Sequence, residues 1–438
     1  MDALVAWKTS SRRKPLLLLG ARQVGKTWLL REFGTRHYAR TVRLDLDRSQ
    51  TARSIFDGDL TPPRLLADMA TLDGGGPIVA AETLIILDEI QEAPRALTAL
   101  KYFAEDAPEY HVACAGSLLG VAAHERTSFP VGKVNVVKIH PLSFVEYLGG
   151  IGEPGLAELV RHGEPGRFAA FHDALIAHLR SYLFVGGMPE AVAEYAPARD
   201  LGVVRDVQHE LLAAYDRDFS KHAPLSEVPR LRALWDAVPE QLARENKRFV
   251  YSQAQPGARA KTMELALQWL LDAGLVHRVR RVQTPRLPLA SYADDAFKLY
   301  CVDTGLTAAA VGLGPRTLLE GSAAFTEYKG VLAEQFVLQE LIAADHTPFF
   351  WSSPTGNAEV DFLLEADGHV MPLEVKAETN LQAKSLRVFR DRYQPARSVR
   401  ASLRPYRDEG WLLNLPLYAV SRIAEWLPTS DSAPTRPV

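Results

Sequence analysis

A short apolar run and the two glycines behind it leave this sequence few possible folds. Leu16–Leu19 has the character of a buried strand, and it leads directly into Gly-x-x-x-x-Gly-Lys-Thr. Glycine allows backbone N–H groups to approach phosphate oxygens where a Cβ would obstruct them. Lysine supplies positive charge to the phosphates, and threonine supplies a hydroxyl to Mg²⁺. The predicted nucleotide-binding residues are Gly20, Ala21, Arg22, Gln23, Val24, Gly25, Lys26, Thr27 and Trp28.

The segments that follow favour a nucleotide site over an ordinary glycine-rich turn. A helix predicted over residues 28–33 would direct its N-terminal dipole at the same anion. Thr83–Leu87 is a continuous apolar run that ends in Asp88 and Glu89, as at the carboxyl end of a central parallel strand. We predict that Asp88 holds Mg²⁺, directly or through water, and that Glu89 polarises the attacking water. Taken alone, two adjacent acids also fit a solvated strand end.

Further strand patterns complete a predicted sheet. Five strands with helices between most pairs indicate a doubly wound parallel α/β domain. Ser117 follows the strand at residues 111–115, where a polar side chain can contact the γ-phosphate; a turn serine is the alternative. The predicted strands cover residues 16–19, 41–47, 83–87, 111–115 and 134–139.

These motifs carry a family resemblance. Gly20–Thr27, Leu87–Gln91 and Ala115–Ser117 resemble the AAA-type ATPases of bacteria and archaea, specifically a prokaryotic group with a second domain of unknown function at its C-terminus. Phe129–Val134 and His140–Phe144 resemble the same group. The resemblance implies binding of ATP and Mg²⁺, hydrolysis with Lys26 as a catalytic group, and an arginine finger.

The position of that finger departs from the family pattern. Many members carry Gly-Arg where this chain has Gly132 and Lys133, and lysine does not reproduce a bidentate guanidinium contact. Arg126 is therefore our candidate for the finger, with a solvated loop charge as the alternative. A finger that acts in trans would require an oligomer, which the sequence does not show.

The middle of the chain is predicted to be helical. Residues 153–167 have the composition of a linker, and a helix over residues 168–182 leads to Gly186-Gly187-Met188-Pro189. This motif resembles an element with which related ATPases contact adenine from a helical lid, which implies that Pro189 packs on the base. A glycine-ended helix followed by a proline-started one is the alternative.

A basic segment follows this lid. Helices over residues 229–242 and 259–273 precede an alternating strand at 274–282 and a second strand at 297–302, the outline of a winged helix. Such a module contacts a DNA or RNA backbone, or equally a protein. The basic residues are Arg259, Lys261, Arg278, Arg280, Arg281 and Arg286.

The C-terminal region contains acids at the spacing of a metal site. Glu374 and Lys376 emerge on one face of a strand, and Asp361 reaches that face from the other strand of a predicted hairpin. Converging carboxylates can hold Mg²⁺ or Mn²⁺, and a nearby lysine can orient or deprotonate water. The arrangement resembles the PD-(D/E)xK nuclease superfamily, which implies metal ligands at Glu334, Asp361 and Glu374 and catalytic roles for Asp361, Glu374 and Lys376. A salt-bridged, inactive version of that fold is the alternative.

Net charge, cysteine content and the distribution of apolar residues limit the classes of protein to which this chain can belong. The 438 residues carry a net charge of −3, so nothing global predicts nucleic-acid binding. Cys114 and Cys301, the two cysteines, lie in apolar runs and are predicted buried thiols. With no secretory signal and no membrane-length apolar run, we expect a cytoplasmic protein without membrane contact.

These observations combine into one architecture. We expect an AAA-type P-loop domain (1–150), a helical lid and linker (151–222), a winged-helix-like domain (223–322), a PD-(D/E)xK-like α/β domain (323–426) and a disordered tail (427–438). The predicted function is Mg²⁺-dependent ATP hydrolysis that controls nucleic-acid cleavage by the C-terminal domain. The alternatives are an ATP-driven switch with an inactive nuclease-like domain, and a scaffold that only binds ATP.

Overall fold

The computed structural model describes residues 1–117, 132–244, 247–315, 323–354, 356–366, 368–377 and 383–426. The predicted tail lies outside these ranges. The chain divides into two units, residues 1–140 with 272–274 and residues 141–271 with 275–438. Among the helices in the described ranges, none is sufficiently long and apolar to cross a lipid bilayer.

The first unit is built on a parallel sheet. Its strands lie in the order β2-β3-β4-β1-β5, and all their pairings are parallel, as predicted for this domain. The strands are β1 (Leu16–Gly20), β2 (Arg40–Asp45), β3 (Thr83–Asp88), β4 (His111–Ser117) and β5 (Asn135–Lys138). The helices are α1 (Asp2–Thr9), α2 (Lys26–His37), α3 (Gln50–Ser54), α4 (Pro62–Leu72) and α5 (Pro94–Asp106).

The apolar strands pack on both faces of this sheet. In β3, Ile85 and Leu87 join one core cluster, whereas Leu84 and Ile86 join another. Successive side chains of a strand point to opposite faces, so a continuous apolar run is buried on both sides. Because β1, β3 and β4 pair in parallel, their carboxyl ends lie at the same edge of the sheet.

The second unit combines helices with a mixed sheet. Its helices are α6 (Phe144–Gly150), α7 (Pro154–His162), α8 (Phe168–Val185), α9 (Pro189–Ala198), α10 (Leu201–His222), α11 (Val228–Leu242), α12 (Tyr251–Ala254), α13 (Ala260–Asp272), α14 (Thr304–Ala310), α15 (Ala323–Ala343) and α16 (Lys384–Tyr393). Its strands are β6 (Val276–Val282), β7 (Ala293–Cys301), β8 (Phe349–Ser352), β9 (Glu359–Ala366), β10 (His369–Lys376), β11 (Ser398–Ser402), β12 (Arg407–Asp408) and β13 (Leu412–Pro416).

The sheet of the second unit continues past residue 322, where we predicted a domain boundary. The strand order is β12-β13-β11-β10-β9-β8-β6-β7. The β6–β7 ribbon of the middle region joins β8 through one parallel pair, Arg281 with Phe350. The middle and C-terminal regions therefore share one sheet.

The segment predicted as a linker is partly helical. Helix α7 begins with Pro154, and Ala157, Leu159 and Val160 are buried. Proline is favoured in the first helical turn, and the apolar positions lie three and four residues apart on one face. The glycine-rich, acidic composition had suggested a linker, and that prediction was wrong for residues 154–162.

A buried glutamate in α15 couples the fold to pH. Glu340 accepts a hydrogen bond of 2.8 Å from the backbone N–H of Phe144, at the start of α6. Burial raises the pKa of Glu340 to about 8, and nearby Glu146 adds to the rise. The folded state therefore binds this proton more tightly than the unfolded chain does.

The raised pKa predicts a stability that falls with rising pH. The contribution of Glu340 is complete below the ordinary carboxyl pKa and is lost as pH rises to about 8. In Glu340→Gln this loss should disappear. The slope of the unfolding free energy against pH should therefore become shallower between pH 5 and pH 8, by at most about 1.4 kcal/mol per pH unit. Urea titrations across that range provide the measurement, with exposed Glu158→Gln as the control. Equal pH profiles for wild type and Glu340→Gln would contradict the prediction.

Candidate functional site

The predicted phosphate loop connects β1 to α2 at the carboxyl edge of the first sheet. Gly25 has φ 86° and immediately precedes α2, so glycine suits its left-handed backbone. A Cβ on Gly20 would lie 2.3 Å from the carbonyl oxygen of Ile139, so this glycine permits a close backbone approach. Trp28 lies in the first turn of α2 with 65% of its surface exposed. The loop therefore has the strand–loop–helix setting of a phosphate site.

Lys26 is folded back onto the loop. Its Nζ donates to the carbonyl oxygens of Gly20 (3.0 Å) and Ala21 (2.7 Å). Burial lowers the pKa of Lys26 to about 8, although Glu89 and Asp88 oppose that effect. The ammonium group thus lies at the loop, where both of its hydrogen-bond acceptors among the described residues are neutral carbonyl oxygens.

Thr27 and Asp88 meet at the edge of the sheet. The Thr27 hydroxyl donates to Asp88 Oδ1 at 2.8 Å, and Asp88 is buried at the end of β3. A hydroxyl and a carboxylate are hard oxygen ligands of the kind that Mg²⁺ prefers. The donor set therefore fits the predicted magnesium ion.

Glu89 has an unusual backbone next to this pair. Its φ of 51° and ψ of 52° place a non-glycine residue in the left-handed region. Such strain is concentrated at functional sites, where the surrounding structure maintains it. The side-chain amide of Gln91 donates to Glu89 Oε2 and orients the carboxylate.

The structure describes some of the remaining residues predicted around the nucleotide but not all of them. Ser117 pairs in register with Gly20, so its backbone lies at the end of β4 beside the loop. Arg126 lies outside the described residues. Lys133 forms a 2.9 Å ion pair with Glu105, which gives it a partner within the first unit. The arginine finger stays a prediction.

The Gly-Gly-Met-Pro motif ends α8 and begins α9. The backbone N–H of Gly187 donates to buried Asp303 at 2.6 Å, and a Cβ on Gly186 would lie 2.2 Å from the same carboxylate. Met188 caps α9, and Pro189 occupies its first turn. Close packing against Asp303 accounts for Gly186, and close packing against the backbone of Leu142 accounts for Gly187, in agreement with the helix-capping alternative. The contact of Pro189 with adenine stays a prediction.

The C-terminal candidates belong to one group of buried and half-buried charges, which we call the ionic cluster: Lys247, Lys298, Glu334, Glu359, Asp361, Glu374 and Lys376. Lys298 lies 3.2 Å from Glu334 and 2.6 Å from Glu359 and is fully buried. Lys247 forms an ion pair with the other oxygen of Glu334. Lys376 lies 3.0 Å from Glu374.

The pKa shifts show how these charges balance. Burial would raise the pKa of Glu334, but Lys247 and Lys298 outweigh it and hold that pKa well below its usual range. Burial and the nearby Glu334 raise the pKa of Asp361, whose Oδ2 accepts a 2.8 Å hydrogen bond from the Val375 N–H. Lys298 has a raised pKa because three carboxylates outweigh its burial.

The contacts of the ionic cluster bear on the second metal ion that the sequence predicts. Both oxygens of Glu334 are engaged, one by Lys247 and the other by Lys298 and the Tyr300 hydroxyl. Glu374 keeps one buried oxygen without a hydrogen-bond partner. Within the described ranges, no group of three or more acidic, histidine or cysteine side chains is arranged to hold a metal. Three ammonium groups already pair with three of the four carboxylates of the ionic cluster. Glu334 and Glu374 thus take part in ion pairs and Asp361 accepts a backbone hydrogen bond, and the metal-ligand roles of all three stay predictions.

The basic ribbon is partly neutralised within the chain. Arg278 pairs with Glu264 at 3.2 Å, and Arg281 pairs with Asp294 at 2.8 Å. Arg280 packs over the ring of Phe349. The helices and antiparallel ribbon occur in the predicted order, but these contacts reduce the positive charge offered to a nucleic acid.

Comparison with known families agrees with the geometry at the first sheet. Residues 12–148 match the family described as AAA domain. Residues 12–148 are an AAA-type, ATP-binding P-loop domain. Two families of unknown function match two later segments of the chain: DUF8612 over residues 176–317 and DUF4143 over residues 329–418. No curated protein matches the chain.

Several solved structures are similar to this chain, at low sequence identity. A Walker-type ATPase of Pyrococcus abyssi is 16% identical over 71% of this chain and 95% of its own, with a TM-score of 0.44. The Orc1 protein of Aeropyrum pernix in complex with DNA is 14% identical over 70% and 89%, with a TM-score of 0.30. The Thermotoga maritima RuvB Holliday junction branch migration motor is 14% identical over 64% and 86%, with a TM-score of 0.26. The assignment of residues 12–148 rests on the AAA domain match.

Several residues at both sites escaped sequence reasoning. In the AAA domain these are Arg43, which contacts Asp88, and Gln91, which contacts Glu89. In the ionic cluster they are Lys247 and Lys298. A lysine inside the apolar run at residues 297–302 was the available signal, because a charge buried in a strand requires a partner.

Proposed function

We propose that this protein is a Mg²⁺-dependent ATPase that acts as a nucleotide-driven switch, with a C-terminal domain that does not cleave nucleic acid. The observation that carries the proposal is the convergence of Thr27, Asp88 and Glu89 beside Lys26 at one edge of the sheet. Thr27 and Asp88 would hold Mg²⁺, which would neutralise charge on the phosphates. The AAA domain match supports ATP as the nucleotide.

The chain's own residues would divide the work of hydrolysis. Lys26 exchanges the carbonyl oxygens of Gly20 and Ala21 for phosphate oxygens, which replaces neutral acceptors with charged ones. Glu89, oriented by Gln91, accepts a proton from the attacking water or aligns it. Ser117, at the end of the neighbouring strand, is our candidate sensor of the γ-phosphate. Arg126 is our candidate finger, supplied from a neighbouring copy in an oligomer.

The ionic cluster supports a switch over a nuclease. A carboxylate that is already paired with buried ammonium groups is not free to bind a catalytic metal, and this describes Glu334. The middle region, with exposed Arg259, Lys261, Arg280 and Arg286, is our candidate surface for a partner. Nucleotide turnover in the AAA domain would change how that surface is presented.

One experiment separates the switch from the nuclease. We expect wild type to release phosphate from ATP with Mg²⁺ and to leave single- and double-stranded DNA and RNA uncut with Mg²⁺ or Mn²⁺, with or without ATP. Asp361→Asn should match wild type in both assays, because Asp361 lies outside the AAA domain. Metal-dependent cutting by wild type that Asp361→Asn abolishes would restore the nuclease. Failure of wild type to bind ATP would reject the ATPase, and binding without turnover would favour the scaffold.

A further inference from the structure

Arg43 lies at the nucleotide site and has no part in the proposed hydrolysis. It is in β2, two residues before Asp45, so both side chains emerge on one face of the strand. β2 pairs in parallel with β3, and Asp45 is opposite Asp88. The register of the sheet therefore brings the Arg43 guanidinium to both carboxylates.

The guanidinium occupies the oxygen of Asp88 that Thr27 does not use. Its Nη2 lies 2.7 Å and its Nε 3.2 Å from Asp88 Oδ2, whereas the Thr27 hydroxyl donates to Oδ1. Nη2 is also 3.1 Å from Oδ2 of Asp45. The Asp45 side chain is more accessible than that of Asp88, at 24% against 4% exposed. Arg43 thus contacts a buried and a half-buried carboxylate at once.

We propose that Arg43 is a displaceable counter-ion: it occupies Asp88 until a divalent cation enters with nucleotide, and it then pairs with Asp45 alone. The inference rests on the proposed function, because it requires a divalent cation at Thr27 and Asp88. A carboxylate oxygen that accepts two N–H donors has no lone pair left for a metal-bound water. Two cations at one carboxylate also repel each other, so Arg43 competes with the metal. Asp45 lies within reach, so the exchange requires only a small movement.

Binding of Mn²⁺ in the presence of a non-hydrolysable ATP analogue tests this competition. The free Mn²⁺ signal in electron paramagnetic resonance gives the Kd and requires no turnover. Arg43→Gln should lower that Kd about fivefold, the size expected when one competing charge leaves a partly exposed site. Arg48→Gln is the matched control, because Arg48 Nε lies 3.9 Å from Asp45 on an 87% exposed side chain.

A second variant tests the other half of the exchange. Asp45→Asn removes the partner to which Arg43 moves, so Arg43 stays on Asp88 and the Kd for Mn²⁺ should rise. Asp47→Asn, at an exposed acid on the same segment, controls for the loss of one negative charge.

Each outcome decides the proposal. A Kd that rises or stays unchanged in Arg43→Gln would overturn it, and so would an equal fall in Arg48→Gln, which would reflect net charge alone. If Arg43→Gln does not fold, equal Kd values for Asp45→Asn and Asp47→Asn would overturn it. If wild type does not hydrolyse ATP, the proposed function is rejected. The Kd values for Mn²⁺ would still decide the role of Arg43, because they require no turnover.

Discussion

Replacing Glu89 with glutamine is expected to lower kcat for ATP hydrolysis by about 10²–10⁴-fold, the range for loss of a general base. Glutamine has the same shape and still accepts the hydrogen bond that Gln91 donates, so the left-handed backbone at this position is retained. It does not accept a proton from water. Steady-state phosphate release measures kcat, and titration with a fluorescent ATP analogue should give an unchanged Kd.

A matched control for this change lies in the next turn. Glu92→Gln removes the same charge from the short helix that follows Glu89, but no contact joins Glu92 to the loop among the described hydrogen bonds and ion pairs. We expect its kcat to stay within about twofold of wild type, as for substitutions away from reacting groups. Unchanged turnover in Glu89→Gln would remove Glu89 from the proposed role, and a weaker Kd for ATP would indicate a binding role instead.

Lys298→Met is expected to lower the free energy of unfolding by about 3–5 kcal/mol, the cost of removing one partner from a buried ion pair. The substitution leaves Glu334 and Glu359 without the ammonium group that lies between them. Because methionine has a similar volume, the loss comes from uncompensated charge more than from a cavity. Urea unfolding of the full chain, followed by intrinsic fluorescence, provides the measurement.

Removal of the second charge should recover part of that loss. The double variant Lys298→Met with Glu334→Leu should be more stable than the sum of the two single losses, because the pair disappears together. Lys384→Met, at an exposed lysine at the start of α16, is the control and should be near neutral. Additive losses in the double variant would contradict the role of the ionic cluster as an internal ion-pair network.

The nucleotide site could be predicted because its chemistry is local in sequence. Gly20–Thr27 is one continuous loop, and Asp88 and Glu89 end a single apolar strand. Each of these positions admits few residue types, and sheet geometry brings the two segments together. Arg43 was missed because its contact with Asp88 depends on the register of β2 against β3. A strand pattern does not state which neighbour it pairs with.

The C-terminal group of charges was predicted only in part. Glu334, Asp361, Glu374 and Lys376 do lie in one group of charges, as the spacing indicated. Lys298, however, is 36 residues from its partner Glu334, and Lys247 is 87 residues from it. Those lysines come from the region before the predicted domain boundary, where no local pattern related them to the acids.

The shared sheet has a consequence for how such chains are assembled in evolution. The two families of unknown function meet between residues 317 and 329, yet β6 joins β8 and Lys298 meets Glu334 across that interval. A gene fusion that exchanged only the last segment would deliver acids without their ammonium partners and a strand without its neighbour. We therefore expect recombination to carry both segments as a single inherited block.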